Sequence, residues 1–122
     1  MNAGDTFRRG SGSHLWIVVS DPQQNASQVL LVNLTSNRAW QDQSCIISAG
    51  DHSFVTKETI VFYRNAMIAS NHDLDSQLAS GAIQLHDPVS SSLLQRIRVV
   101  AAASARIALG HQDLLRQQGL IS

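Results

Sequence analysis

The hydrophobic residues in the first part of the chain occur in short, almost continuous runs. Residues 15–19 (LWIVV) and 29–34 (VLLVNL) are rich in β-branched side chains, and a polar segment separates them. Runs of this length and composition are typical of buried strands. The separating segment contains Pro22, which cannot donate the backbone hydrogen bond that a strand ladder needs. The pattern therefore predicts two buried strands joined by a turn, followed by strands over residues 44–48 and 59–63.

From about Ser70 the apolar residues change to a helical spacing. One of residues 71–73 is expected to cap a short helix that ends at Gly81. Short polar residues favour the first position of a helix, and glycine favours the position just beyond its end. Residues 82–85 are predicted to form one more edge strand.

A longer helix is expected after Pro88. This proline and the serines at 90–92 favour a helix start, and Gly110 is the expected stop. The face at helical spacing comprises Leu93, Ile97, Val100, Ser104 and Ile107. A short piece over residues 113–118 is predicted to extend this amphipathic helix, which is expected to lie against the strands.

The predicted elements form one domain over residues 1–122, a length that suits a single hydrophobic core. Four or five short strands within residues 4–69 are typical of a small barrel or sandwich. Residues 70–122 are expected to be a helical C-terminal extension packed on that body. The predicted fold class is β-rich α+β.

Composition and charge narrow the possible functions. Hydrophobic residues make up 43% and charged residues 15% of the chain, which suits a folded globular protein. Nine basic residues balance nine acidic residues, so any binding of phosphate must come from a local group of side chains. Cys45 is the only cysteine, so an intramolecular disulfide is impossible. Because no apolar stretch reaches the length that spans a bilayer, the protein is expected to be cytoplasmic.

Three segments resemble a known family in their order and spacing. They are Gly4-Asp5, residues 14–22 (HLWIVVSDP) and residues 32–36 (VNLTS). They are similar to the MazF/PemK (Kid) family of toxins, in which Gly-Asp opens the first strand, the second ends near Ser-Pro or Ser-Asp, and the third ends in Thr-Ser. The resemblance covers about residues 4–69.

The resemblance implies a small SH3-like β-barrel of the MazF/PemK/CcdB kind, with the C-terminal helices packed on it. It implies a type II toxin–antitoxin component that forms a homodimer, binds an antitoxin protein and cleaves single-stranded RNA without a metal or other cofactor. The best-matched residues are Thr35 and Ser36. Members of the family usually have an arginine early in the loop between their first two strands. In this chain that arginine corresponds only loosely to Arg8 or Arg9, and the loop at residues 11–13 is shorter than usual.

RNA cleavage without a metal requires a base for the 2′-hydroxyl, an acid for the leaving 5′-oxygen and donors for the charge on the phosphate. His52, Arg64 and Thr35 are the predicted catalytic residues. Histidine exchanges protons near neutral pH, and the planar guanidinium of arginine holds two phosphate oxygens at once. The segment Gly50-Asp51-His52 is expected to be a turn with both polar side chains exposed. The alternative is an ordinary turn whose polar groups are merely solvated.

The predicted RNA-binding residues are Arg8, Ser36, Arg38 and Trp40. Trp40 lies in a polar loop close to Arg38, where an exposed indole can stack on a base. A contact with a partner protein, or simple packing of the loop, explains the tryptophan equally well.

Other chemistries have little support in the sequence. The five histidines show neither H-x-x-x-H nor H-E-x-x-H spacing, so no metal site is predicted. No G-x-S-x-G motif is present. Two alternatives to an endoribonuclease remain. One is a non-catalytic SH3-like barrel that binds a protein target or nucleic acid. The other is a structural subunit whose C-terminal helix docks on a partner.

Overall fold

A computed structural model describes residues 1–10 and 14–122 of the chain. These residues form a β-rich α+β fold, as predicted, with one seven-stranded antiparallel sheet and three α-helices. The short loop expected at residues 11–13 lies outside the described residues. The strands are β1 (Thr6–Arg9), β2 (Trp16–Val18), β3 (Val29–Ser36), β4 (Ile46–Ile47), β5 (Thr59–Val61), β6 (Met67–Ala69) and β7 (Ile83–His86). The helices are α1 (Asn71–Ser80), α2 (Ser91–Ala103) and α3 (Leu109–Gln117), with a short 3-10 helix at Tyr63–Asn65.

Strand β3 is the centre of the sheet. The strand order is β4-β5-β3-β2-β1-β7, and β6 pairs with β3 as well. One edge of β3 pairs with β2, while the other edge pairs first with β6 and then, towards its C-terminal end, with β5. Strand β7 comes from the C-terminal part of the chain and pairs with β1, so the predicted edge strand after α1 is confirmed.

Helices cover both faces of the sheet. Leu30, Val32 and Leu34 of β3 join the larger hydrophobic cluster, to which α2 and α3 contribute. Val29 and Leu31 point to the opposite face and join a smaller cluster that includes Leu74 of α1. Alternate residues of a strand face opposite sides of a sheet. Because both sides of β3 are buried, its apolar run is continuous rather than alternating with polar residues.

The sheet is not closed into a barrel. Among the described residues, no ladder of backbone hydrogen bonds joins β4 to β7, which are the two ends of the strand order. Side chains bridge this gap instead. The Nε2 atom of His52 lies 2.5 Å from the carbonyl oxygen of Asp87, and the hydroxyl of Ser53 donates to the Asp87 carboxylate over 2.6 Å. The ring of Phe54 packs edge-on against His86. We call this set of contacts the seam.

Helix α1 begins and ends close to the predicted residues. The hydroxyl of Ser70, one residue before the predicted range, accepts a hydrogen bond from the amide of Asp73 and caps the helix. Gly81 ends it with a φ of 81°, a left-handed conformation that glycine adopts without steric cost. Ser90, one of the predicted start residues, caps α2 in the same way through the amide of Leu93.

Helix α2 ends earlier than predicted. It stops at Ala103, and Gly110 lies in the first turn of α3 rather than at a helix end. The cause is a side chain from the following helix. The buried amide Nε2 of Gln112 donates to the carbonyl oxygens of Ala101 and Ser104 over 2.9 and 3.1 Å. The last carbonyls of a helix have no partner within it, so Gln112 supplies hydrogen bonds that a longer helix would otherwise provide.

A buried tyrosine joins the sheet to α2. Tyr63 follows β5, and its hydroxyl donates a 2.7 Å hydrogen bond to the carbonyl oxygen of Ile97 in α2. Burial raises the pKa of this phenol well above its ordinary value, so the hydroxyl keeps its proton and remains a donor.

We expect Tyr63→Phe to lower the free energy of unfolding by about 1–2 kcal/mol, because the substitution removes a buried hydrogen bond and keeps the ring. Urea unfolding followed by circular dichroism measures the change. Ser91→Ala, at an exposed position of the same helix, is the control and should match the parent chain. A Tyr63→Phe chain as stable as the parent would show that this hydrogen bond does not hold α2 on the sheet.

Two glutamines of α3 allow a matched test of the cap on α2. Gln112→Ala should lower the free energy of unfolding by about 1–3 kcal/mol, since it removes the hydrogen bonds that a buried amide donates to the carbonyl oxygens of Ala101 and Ser104. Gln117 is exposed in the same helix, so Gln117→Ala should change the stability by less than about 0.5 kcal/mol. Equal losses in the two variants would contradict a capping role for Gln112.

Candidate functional site

A groove of about 230 Å³ lies beside the C-terminal end of β3. We call it the β3 groove. The end of β3 forms one wall, and the segment between β4 and β5 forms the other. Its lining residues are His14, Leu34, Thr35, Ser36, Phe54, Val55, Thr56, Lys57 and Thr59. Pockets that enclose small molecules usually have roughly 300–1,000 Å³, so this open groove suits a segment of an extended chain better than an enclosed ligand.

The backbone places His14 beside the C-terminal end of β3. His14 lies two residues before β2, and the carbonyl oxygen of Leu15, between them, accepts from the amide of Leu34 over 2.9 Å. Thr35 and Ser36 pair on their other side with Ile60 and Thr59 of β5. The Thr-Ser pair that the sequence singles out therefore lies between two neighbouring strands on the wall of the groove.

The exposed imidazole of His14 has one nitrogen fixed and one unoccupied. Its Nδ1 lies 3.0 Å from the carbonyl oxygen of Leu34. A carbonyl oxygen only accepts, so Nδ1 must carry the hydrogen. In the neutral ring Nε2 then holds the lone pair, and no described residue forms a hydrogen bond with it. His14 is placed to take a proton from a molecule in the groove, a role that the sequence prediction gave to His52.

Positive charge lies at the edge of the same groove. The guanidinium carbon of Arg8 lies 5.6 Å from the centre of the Phe54 ring, a cation–π arrangement. Lys57 lines the groove directly. Its neighbour Glu58 points elsewhere and accepts a short hydrogen bond from the side chain of Asn37. Of the predicted RNA-binding residues, Ser36 thus lines the groove beside Thr35 and Arg8 lies at the Phe54 ring on its edge. Lys57 adds a cation that the sequence prediction did not include.

The prediction that His52 is exposed is wrong. Only 7% of this residue is accessible, and both ring nitrogens are engaged. Nδ1 accepts from the amide of Phe54 over 3.0 Å, so Nε2 carries the hydrogen and donates to the carbonyl oxygen of Asp87. With its lone pair already used, this imidazole holds the seam together, and nothing is left to abstract a proton from a substrate.

Asp51 does not orient His52. Its Oδ2 accepts from the amide of Ser48 over 2.8 Å and from the guanidinium of Arg96 over 3.0 Å. These contacts, first the Ser48 amide and then Arg96, lower the pKa of the Asp51 carboxyl. Asp51 thus closes its own turn and ties it to α2.

Arg64 and Trp40 belong to a second cavity, of about 200 Å³. We call it the Trp40 pocket. Its lining residues are Trp40, Gln41, Asp42, Phe62, Arg64 and Arg106, and it shares no lining residue with the β3 groove. The three predicted catalytic residues are therefore not brought into one cavity, since Thr35 lines the groove, Arg64 lines the Trp40 pocket and His52 lies in the seam. Arg38 is exposed and lines neither cavity.

The described residues offer few other reactive groups. Residues 1–10 and 14–122 contain no cluster of three or more His, Cys, Asp or Glu side chains that could hold a metal ion. Burial raises the pKa of the Cys45 thiol, so it is a poor nucleophile near neutral pH. No helix in this part of the chain has both the length and the apolar character needed to cross a bilayer.

Comparison of the chain with protein-family models finds no match, and comparison with characterised proteins finds no significant match. The chemistry of the two cavities is therefore the ground for assigning a function.

The two histidines give contrasting predictions. His52→Ala should lower the free energy of unfolding by about 1–3 kcal/mol, because it removes two hydrogen bonds at a buried position. The exposed Ser53→Ala removes one bond from the same seam and should cost less than about 1 kcal/mol. Thermal and urea unfolding of the two variants measure the difference. A His52→Ala chain of parental stability would contradict a structural role for this imidazole.

Proposed function

We propose that this chain is a metal-independent endoribonuclease that cleaves single-stranded RNA. The observation that carries the proposal is the β3 groove, which is lined by His14, with its unoccupied Nε2, together with Thr35 and Ser36. In biological terms, the proposal is the toxin component of a type II toxin–antitoxin system, with an antitoxin protein as its partner and a homodimer as its working form.

The groove contains groups suited to each step of the reaction. His14 Nε2 takes the proton of the 2′-hydroxyl, whose oxygen attacks the adjacent phosphorus. The bond from phosphorus to the 5′-oxygen breaks, and the ammonium of Lys57 returns a proton to that oxygen. The products are a 2′,3′-cyclic phosphate and a 5′-hydroxyl. The hydroxyl of Thr35 and the guanidinium of Arg8 stabilise the charge that grows on the phosphate oxygens.

Single-stranded RNA is the substrate that suits an open groove. The attacking 2′-oxygen must align with the leaving 5′-oxygen, and an unpaired strand adopts that geometry more readily than a helix does. Sequence-specific RNA recognition also acts mainly on unpaired segments, because their bases are free to splay out. Local positive charge from Arg8 and Lys57 attracts the RNA backbone although the whole chain has no net charge.

The proposal includes a relation to the SH3-like barrel. The pairing of β3 with β2 on one edge and with β5 and β6 on the other supports it, as do the side chains that bridge the sheet ends at the seam. On this interpretation the open sheet is related to such a barrel, and side-chain contacts occupy the place of its last ladder.

Cleavage of a mixed-sequence single-stranded RNA in the presence of EDTA tests the activity. We expect fragments that end in a 2′,3′-cyclic phosphate, and loss of a general base in His14→Ala should lower the rate by at least about 100-fold. Thr35→Val and Lys57→Gln should also slow cleavage. His72→Ala, an exposed histidine in α1, is the matched control and should retain full activity.

Two results would count against this proposal. Intact RNA at every protein concentration, with and without EDTA, would exclude the endoribonuclease. Cleavage that is equally fast in His14→Ala would place the chemistry outside the β3 groove.

A second candidate function is a non-catalytic module that binds nucleic acid. The exposed indole of Trp40 beside Arg64 favours it, because such a pair holds a base and a phosphate without any chemistry. This function predicts RNA binding by the parent chain with no cleavage products, and equal binding by His14→Ala.

A further inference from the structure

The most exposed large hydrophobic side chain of the described residues lies at the Trp40 pocket. Trp40 is 80% accessible to solvent, and Phe62 lines the same cavity. An indole left in water gains from contact with another flat ring, and every nucleobase offers such a face. The aromatic part of the pocket therefore suits a base better than it suits a flexible aliphatic group.

Two arginines make this pocket locally basic. Arg64 precedes β6, whereas Arg106 lies between α2 and α3, so distant parts of the chain supply them. Within residues 1–10 and 14–122, the Arg64 guanidinium makes no hydrogen bond or ion pair. Arg106 approaches the Asp42 carboxylate only to 3.6 Å, which is too far for a hydrogen bond. Two guanidinium groups beside a flat ring match a nucleotide, whose phosphate accepts from their planar forks.

Two residues that line the pocket each carry a buried acceptor without a donor. The Oε1 atom of Gln41 and the Oδ2 atom of Asp42 are shielded from solvent and form no hydrogen bond with the described residues. The other carboxylate oxygen of Asp42 is fully used by the amide and hydroxyl of Ser44. Buried acceptors without donors are rare in folded proteins because they cost free energy. A ligand that brings N–H groups would satisfy them.

Arg106 forms a long ion pair with the Asp42 carboxylate. The arginine side chain is 48% exposed, while that of Asp42 is 1% exposed. The guanidinium approaches Asp42 through Oδ1, so its rotation towards a bound phosphate would leave the carboxylate, with its unused Oδ2, to the base. One ligand could therefore satisfy all three features of the pocket. Its flat ring would contact the indole, its phosphate would bind the arginines, and its N–H groups would donate to the unsatisfied acceptors.

We infer that the Trp40 pocket binds a single nucleotide whose base carries an amino group, at a site separate from the β3 groove. The base stacks on the exposed indole of Trp40, so only part of the nucleotide enters the cavity of about 200 Å³. Its amino group donates to Asp42 or Gln41, and its phosphate binds Arg64 and Arg106. In an RNA chain this site would hold one nucleotide at a distance from the cleaved bond and favour adenine, cytosine or guanine over uracil. The inference does not depend on cleavage.

Binding of nucleoside monophosphates to the intact chain tests the inference. AMP, CMP, GMP and UMP are titrated by calorimetry, with inorganic phosphate and ribose 5-phosphate as probes that lack a base. We expect the three amino-bearing nucleotides to bind at least threefold more tightly than UMP, and the probes without a base to bind at least tenfold more weakly than AMP. Quenching of tryptophan fluorescence by AMP should disappear in Trp40→Phe, which leaves Trp16 as the only indole.

Variants separate the parts of the pocket. Trp40→Ala and Arg64→Gln should each weaken AMP binding at least fivefold. The matched control is Arg116→Gln, an exposed arginine of α3 outside the pocket, and it should bind as the parent does. Asp42→Asn should remove the preference for amino-bearing bases, and persisting UMP binding would show that this buried substitution has left the fold intact. If Asp42→Asn binds no nucleotide, Gln41→Leu replaces it in the comparison.

Several outcomes would overturn the inference. They are equal binding of AMP by Trp40→Ala and the parent chain, binding of inorganic phosphate as tightly as AMP, and no binding of any nucleotide. His14→Ala distinguishes this site from the proposed endoribonuclease, since that variant should lose cleavage and keep AMP affinity. Nucleotide binding without RNA cleavage would reject the enzyme and retain the pocket.

Discussion

The structure depends on the backbone hydrogen bonds of β3. This eight-residue strand pairs with β2, β5 and β6, so it joins segments from both halves of the strand order. Its side chains alternate between the two faces of the sheet. One set joins the hydrophobic cluster beneath α2 and α3, and the other set joins the hydrophobic cluster beneath α1. The same strand ends at Thr35 and Ser36, in the wall of the β3 groove. The buried core and the candidate site thus share one rigid element, which fixes the position of the site.

Local sequence signals predicted the elements whose causes are local. The apolar run of β3, the polar residues around the start of α1 and Gly81 at its end all act over a few residues, and the structure has these elements where they were expected. The elements that were missed depend on distant residues. Strand β6 has only three half-exposed residues and exists because β3 offers an edge. The end of α2 depends on Gln112, which lies in the next helix.

The same distinction applies to the candidate site. Thr35 and Ser36 were recognisable because residues 32–36 resemble a motif of the MazF/PemK family. His14 carries no local signal, and its importance arises from its place beside the end of β3 and from its bond to the carbonyl of Leu34. His52 was misjudged because its burial depends on Asp87, in a segment that is remote in sequence. Arg106 was overlooked for a similar reason, as the helical part of the chain supplies a residue to a pocket built mainly by the strands.

The segment between β4 and β5 contributes to two different features of the structure. Its first residues, His52 and Ser53, hold the seam through Asp87, and the residues that follow, from Phe54 to Lys57, line the β3 groove. A ligand that binds the groove only while the seam contacts are intact therefore stabilises those contacts by mass action. A change that lowers the population with an intact seam lowers the apparent affinity for such a ligand in proportion.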